Sequence, residues 1–191
     1  MEQLYKIVAQ DGSACHGGKG EWPLPWEGIH GTVGEWLPPI KKLIPCKQGY
    51  HLLKKSNIPI WLKLDCVLYE ASFVGAIIYQ SDKVVVEQAR LLRKVGVLTK
   101  EVLVEFAILC AKRVYKDKVW NKWADDWLSG VNRSNKAANA AYAAAYAAAN
   151  AAANTAANAA YAAANAAYAA AYAAEKEWQG QVLINLLTNI K

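Results

Sequence analysis

The chain has 191 residues, 54% of them apolar, and carries a net charge of +6 with a pI near 9.1. That is enough to bury a core in one large domain or two small ones, although alanine supplies much of the apolar share and buries little area per residue. Cys15, Cys46, Cys66 and Cys110 have spacings that match no disulfide framework and no zinc ribbon, which points to free thiols in a reducing compartment. The charge would suit an anionic partner such as nucleic acid, but the basic residues come as scattered pairs, Lys41-Lys42, Lys54-Lys55, Arg93-Lys94 and Lys112-Arg113. A basic surface without a dedicated nucleic-acid patch is therefore the favoured reading.

In chain order, Leu4 to Val8 reads as a short strand, followed by a long loop from Asp11 to Pro39 that holds Trp22, Trp26 and Trp36. Loops of that length are usually functional or organised by their own side chains. Gly49-Tyr50-His51-Leu52-Leu53 follows, then a short helix expected at Ile58 to Leu64. Strands are expected at Cys66 to Glu70 and Phe73 to Tyr79, with one or two more over Lys83 to Glu87 and Ala89 to Val95. At Thr99 the apolar period changes from two to 3.6. Leu103, Phe106, Ala107, Cys110 and Val114 outline one helix. Trp120, Trp123 and Trp127 outline a second, which Gly130 ends. The expected class is thus α+β: an α+β domain over 1–98 and an all-helical part over 99–191.

The helical part is dominated by residues 137–174, which hold 27 Ala, five Tyr, five Asn and one Thr. With Ser134 as N-cap and no Gly or Pro to interrupt it, this array predicts a single helix over 135–178, a rod of roughly 65 Å at about 1.5 Å per residue. Asn139, Tyr142, Tyr146, Asn150, Asn154, Asn158, Tyr161, Asn165, Tyr168 and Tyr172 follow one another at steps of three or four. They share one stripe of such a helix and leave alanine on the other faces. Tyr offers large contact area at low entropic cost and Asn adaptable hydrogen bonds, the chemistry of a recognition surface. The bare alanine faces of so long a rod predict a homo-oligomer, most simply an antiparallel two-fold dimer. Five Asn argue against a membrane span, and the first fifteen residues lack the apolar stretch of a signal peptide.

No constellation has the spacing of a catalytic set, so a non-enzymatic protein without cofactor or metal is favoured. Cys15-His16-Gly17-Gly18 is the most enzyme-like string, yet neighbouring side chains of extended chain point to opposite sides. The Cys15/His16 and Cys46/His51 spacings do not match zinc pairs. His16 and His51, with Trp22 and Trp36 of the loop, are the candidates for lining a pocket, which leaves open an enzyme or nucleotide-binding activity in the N-terminal domain.

Two resemblances add to this. Cys15-His16-Gly17-Gly18, Trp22-Pro23-Leu24-Pro25, Gly34-Glu35-Trp36-Leu37, Gly49-Tyr50-His51-Leu52, Leu68-Tyr69-Glu70 and Ala89-Arg90-Leu91-Leu92 occur in that order. Over residues 4–96 the chain resembles an uncharacterised domain family of phage and prophage proteins. From Phe106-Ala107-Ile108-Leu109 through the alanine array to Glu177-Trp178-Gln179 it is similar to Ala-rich helical immunity proteins of bacterial polymorphic toxin systems, with Asn here where those arrays carry Arg and Asp. A weaker similarity, to alanine-rich antifreeze helices, fails on spacing: eleven residues either side of Thr155 stand Ala144 and Ala166. What the first two imply is a phage- or prophage-encoded protein, cytoplasmic in the host cell. It would hold a protein partner, a toxin or a host defence factor, through the Tyr/Asn stripe. A structural, oligomer-forming rod is the remaining alternative.

Overall fold

The computed structural model describes residues 2–26, 32–134 and 164–188. The chain divides into two compact units, one of Met1–Leu103 with Glu175–Lys191 and one of Val104–Ala174.

The first unit is built on a closed antiparallel barrel of β1 (Leu4–Val8), β2 (Tyr50–Lys54), β3 (Val67–Tyr79) and β4 (Val84–Val97), in the order β1-β2-β4-β3. Strands β3 and β4 form a hairpin whose turn is closed by the Gln80 N–H donating to the Lys83 carbonyl at 2.9 Å. Their register shifts at Leu68/Tyr69, Glu70/Ala71 and Val74/Ile77. Each shift bends the ribbon and adds twist, which lets two strands of 13 and 14 residues curl far enough to meet β1 and β2 and close the wall. The strands expected separately at Cys66 to Glu70 and Phe73 to Tyr79 are thus one bent strand, and of the one or two expected over Lys83 to Glu87 and Ala89 to Val95 there is one. Leu4, Val8, Leu52, Val67, Val84, Val86 and Leu91 fill the barrel around Trp22 and Leu37. Alongside β4, the N–H groups of Gly34, Leu37 and Ile40 donate to the carbonyls of Leu91, Ala89 and Glu87. This spacing of three is that of polyproline-type chain and suits Pro38 and Pro39, which have no N–H to give.

The expected fold class is corrected at two points. The N-terminal region is mostly β: the short helix expected at Ile58 to Leu64 is a 3-10 helix, Lys55–Trp61, starting three residues earlier and with Pro59 inside it. Proline removes an N–H and clashes with the preceding turn, so that segment cannot carry a regular α-helix. The very long Ala-rich helix over 135–178 is not seen either. The helix described there, α3, spans Ala164–Thr188, while residues 135–163 lie outside those described. It runs on through Gly180, because a Cβ at that position would collide with the Lys55 carbonyl and glycine lets the two backbones touch. Leu183 and Leu187 are buried, Lys55 pairs with Glu177 at 2.5 Å, and Leu187 packs on Gly96. The dimer inferred from a 65 Å rod loses that footing.

In the second unit, Asp117 caps α2 (Lys118–Leu128) by accepting the Trp120 N–H at 2.8 Å. Ile108, from α1 (Lys100–Val114), packs with Trp120, Ala124 and Trp127, so the Trp ridge is core. Arg133 stacks on Trp127 and pairs with Glu105 at 3.0 Å. Among the described residues no helix is long and apolar enough to cross a membrane.

Candidate functional site

Closure of the barrel between β1 and β2 rests on two residue pairs, Leu4 with Lys54 and Tyr5 with Leu53. Beyond Tyr5 the strands part, and the pairs that would come next, Lys6 with Leu52 and Ile7 with His51, are not made. The period of two puts Lys6 on the same face of β1 as Leu4 and Val8, which is the inner one. Its ammonium bridges the split, donating to the His51 carbonyl at 3.1 Å and lying 4.8 Å from the Trp22 ring centre. A cavity of about 270 Å³ opens at this seam, lined by Lys6, Ile7 and Ala14 with His16, Gly18, Cys46, His51, Leu53, Trp61 and Lys83.

Each side chain reaches the cavity for a local reason. Gly49, with φ of +126°, makes the turn into β2 where a Cβ would strike Val85, and this delivers His51 to the wall. Trp61 ends the 3-10 helix and anchors its indole N–H on the Asp82 carbonyl at 2.9 Å. Its ring meets His16 edge-on at 5.3 Å, and Lys83 lies 5.0 Å from its centre. Lys83 is 8% exposed and pairs with Asp82 at 2.9 Å.

The electrostatics separate the two lysines. Burial pulls Lys6 down to about 8, opposed only weakly by Cys15. Among the described residues no carboxylate pairs with it. Burial also opposes the charge on Lys83, but the hydrogen bond and charge of Asp82, with a contribution from Cys46, outweigh it and raise its pKa. His51 is held below the usual histidine value by burial and by the charges of Lys6 and Lys83, and its Nε2 is buried with no hydrogen-bond partner. His16 is lowered by burial and by Lys6. Both imidazoles are therefore neutral at pH 7.

The Cys15 Sγ lies 3.2 Å from His16 Nδ1, as a nucleophile and base would. Burial and the neighbouring Cys66 push that thiol up to about 11, however, so it is a thiol and not a thiolate at neutral pH. Among the described residues no three His, Cys, Asp or Glu side chains are grouped to hold a metal.

Of the four pocket candidates, His16 and His51 come together here. Trp22 is buried beneath Lys6, edge-on to Tyr50 at 5.7 Å, while Trp36 lies against Arg90 at 4.5 Å and does not line the cavity. Lys6, Trp61 and Lys83 were missed. A lysine at an inward position of an apolar strand was the one signal that could have found the first. The stripe from Asn139 to Tyr161 lies outside the described residues; Asn165, Tyr168 and Tyr172 fall in α3. A larger groove of about 660 Å³ runs along β4 between Trp26, Val33 and Leu187, without titratable groups other than Arg93 and Lys94. No protein-family model, curated protein or solved structure matches the chain.

Proposed function

We propose that the barrel binds a small anionic molecule, a carboxylate or a phosphate, at the seam between β1 and β2. The observation that carries this is Lys6, a half-buried ammonium facing a cavity where, among the described residues, no carboxylate pairs with it. Burying an unpaired charge is costly, and an anion in the cavity would offset that cost. Lys83 adds a second cation, kept protonated at neutral pH by Asp82, Trp61 gives an aromatic wall, and His51 Nε2 is left to be satisfied. A volume of about 270 Å³ limits the ligand to a small metabolite, below the usual drug-sized range. Calorimetric titration with inorganic phosphate and with lactate tests this. Binding at pH 7 should weaken about tenfold or more on Lys6→Met and should not change on Lys41→Met. Because the contact needs protonated Lys6, affinity should fall as pH rises through about 8. Equal affinity in wild type and Lys6→Met would sink the reading.

A second reading keeps the Tyr/Asn stripe as the surface that holds a protein partner, of immunity or anti-defence type. Asn165, Tyr168 and Tyr172 lie in a helix, where their steps of three and four share one face. Under that reading a partner recovered from the native host is lost with Tyr168→Ala and Tyr172→Ala and retained with Lys6→Met; the reverse pattern would discard it.

A further inference from the structure

We infer that Lys6 is an amine nucleophile that captures 2-oxo acids as imines inside the barrel seam. The inference rests on the anion-pocket reading and names the ligand class and the chemistry of that site. The geometry presents two lysines with different duties in one cavity. Lys83 is clamped by Asp82 at 2.9 Å and stays charged, as a carboxylate anchor requires. Lys6 meets a backbone carbonyl and an indole face, and among the described residues no carboxylate pairs with it to hold its charge as Asp82 holds that of Lys83. Inward placement does the rest: with its pKa near 8, roughly a fifth of Lys6 is free amine at pH 7.4, against about a thousandth for an ordinary lysine. A carboxylate one bond away from a carbonyl matches that pair of groups. The cavity, about 270 Å³, equals the liquid volume of about nine waters at ~30 Å³ each, which suits an oxo acid of a few carbons.

The step balances without a redox partner. The Lys6 Nζ lone pair forms a bond to the carbonyl carbon, and the C=O π pair moves to oxygen, which takes a proton. The nitrogen gives up a proton, leaving a carbinolamine. Protonation of its hydroxyl releases water as the nitrogen lone pair forms the C=N bond, giving the protonated imine, whose N–H proton passes back to a base to leave the imine. His16 and His51, neutral and lining the same cavity, are the groups placed to relay these protons. Desolvation of a lysine is the established physical route to such an amine.

The test is reductive trapping on the full chain. Incubated with pyruvate and sodium cyanoborohydride at pH 7.4, Lys6 should gain the mass of pyruvate less one oxygen, at a yield at least about tenfold above any exposed lysine in the peptide map. Excess lactate, which has the carboxylate and no carbonyl, should protect it, and Lys83→Gln should lower the yield. The rate of labelling should rise with pH toward about 8, opposite to the affinity for phosphate. If lactate binds to the wild type while Lys6 labels no faster than exposed lysines, the imine is overturned and the anion pocket stands. If lactate and phosphate both fail to bind and label spreads evenly, both are overturned.

Discussion

Lys6 shapes the stability of the molecule just above pH 8. Its folded pKa of about 8 lies below the ordinary 10.5. Between those values the unfolded chain holds a proton that the folded one has released, so stability should rise as pH increases from about 8. Cys15 works the other way. Its folded pKa of about 11 lies above the ordinary 9.0, so stability drains over that higher window and the net rise should be clearest between pH 8 and 9. Lys6→Met should abolish the rise and, at pH 7, stabilise the fold by about 1–2 kcal/mol after loss of the His51 hydrogen bond is counted. Urea unfolding across pH checks both; a variant less stable than wild type at pH 7 would contradict the account. The histidines act on the acid side. His16 and His51 have depressed folded values, so below about 6.5 the unfolded chain binds protons the folded one refuses and stability falls. His51→Leu should make that acid limb shallower.

Among the elements, α3 and α2 give the sharpest expectations. Gly180 is buried with its backbone on the Lys55 carbonyl. Alanine would gain about 1 kcal/mol in helix propensity but force the two backbones apart, for a net loss of about 2 kcal/mol in urea unfolding. Asp117→Ala should cost about 1 kcal/mol by removing the cap on Trp120 N–H, with little effect on ligand binding in the barrel. These elements also mark what could be read in advance. The bounds of β1, the change of period at Thr99 and the Trp core of α2 followed from local patterns, because an alternating strand and a helical stripe are local properties. The bends of β3 and β4 did not: register shifts depend on how far each strand must curl to meet a neighbour. The short helix after β2 was legible, and Pro59 inside it explains why it is of the 3-10 kind. Gly180 looked like a weak point in a helix and is a contact, which only the position of Lys55, more than a hundred residues away, explains.

For the whole molecule, what places a site is pairing between segments far apart in sequence. His16 and His51 come together because β1 and β2 meet for two residue pairs and then part, and no spacing along the chain encodes that split. The same split brings in Lys6 and Lys83, each unremarkable as a lone lysine in a basic chain. The first unit also takes in residues 175–188 of α3, which pack on Lys55 and Gly96, so it draws on both ends of the sequence. The alanine array, the most conspicuous feature of the sequence, tells less about this site than one lysine facing inward. The most direct measurement is a chemical-shift map of the full protein titrated with lactate at pH 7. The account predicts the largest shifts at Lys6, His16, His51, Trp61 and Lys83, lost in Lys6→Met. Shifts centred instead on Trp26, Val33 and Val97, along the groove beside β4, or no shifts at millimolar ligand, would contradict it.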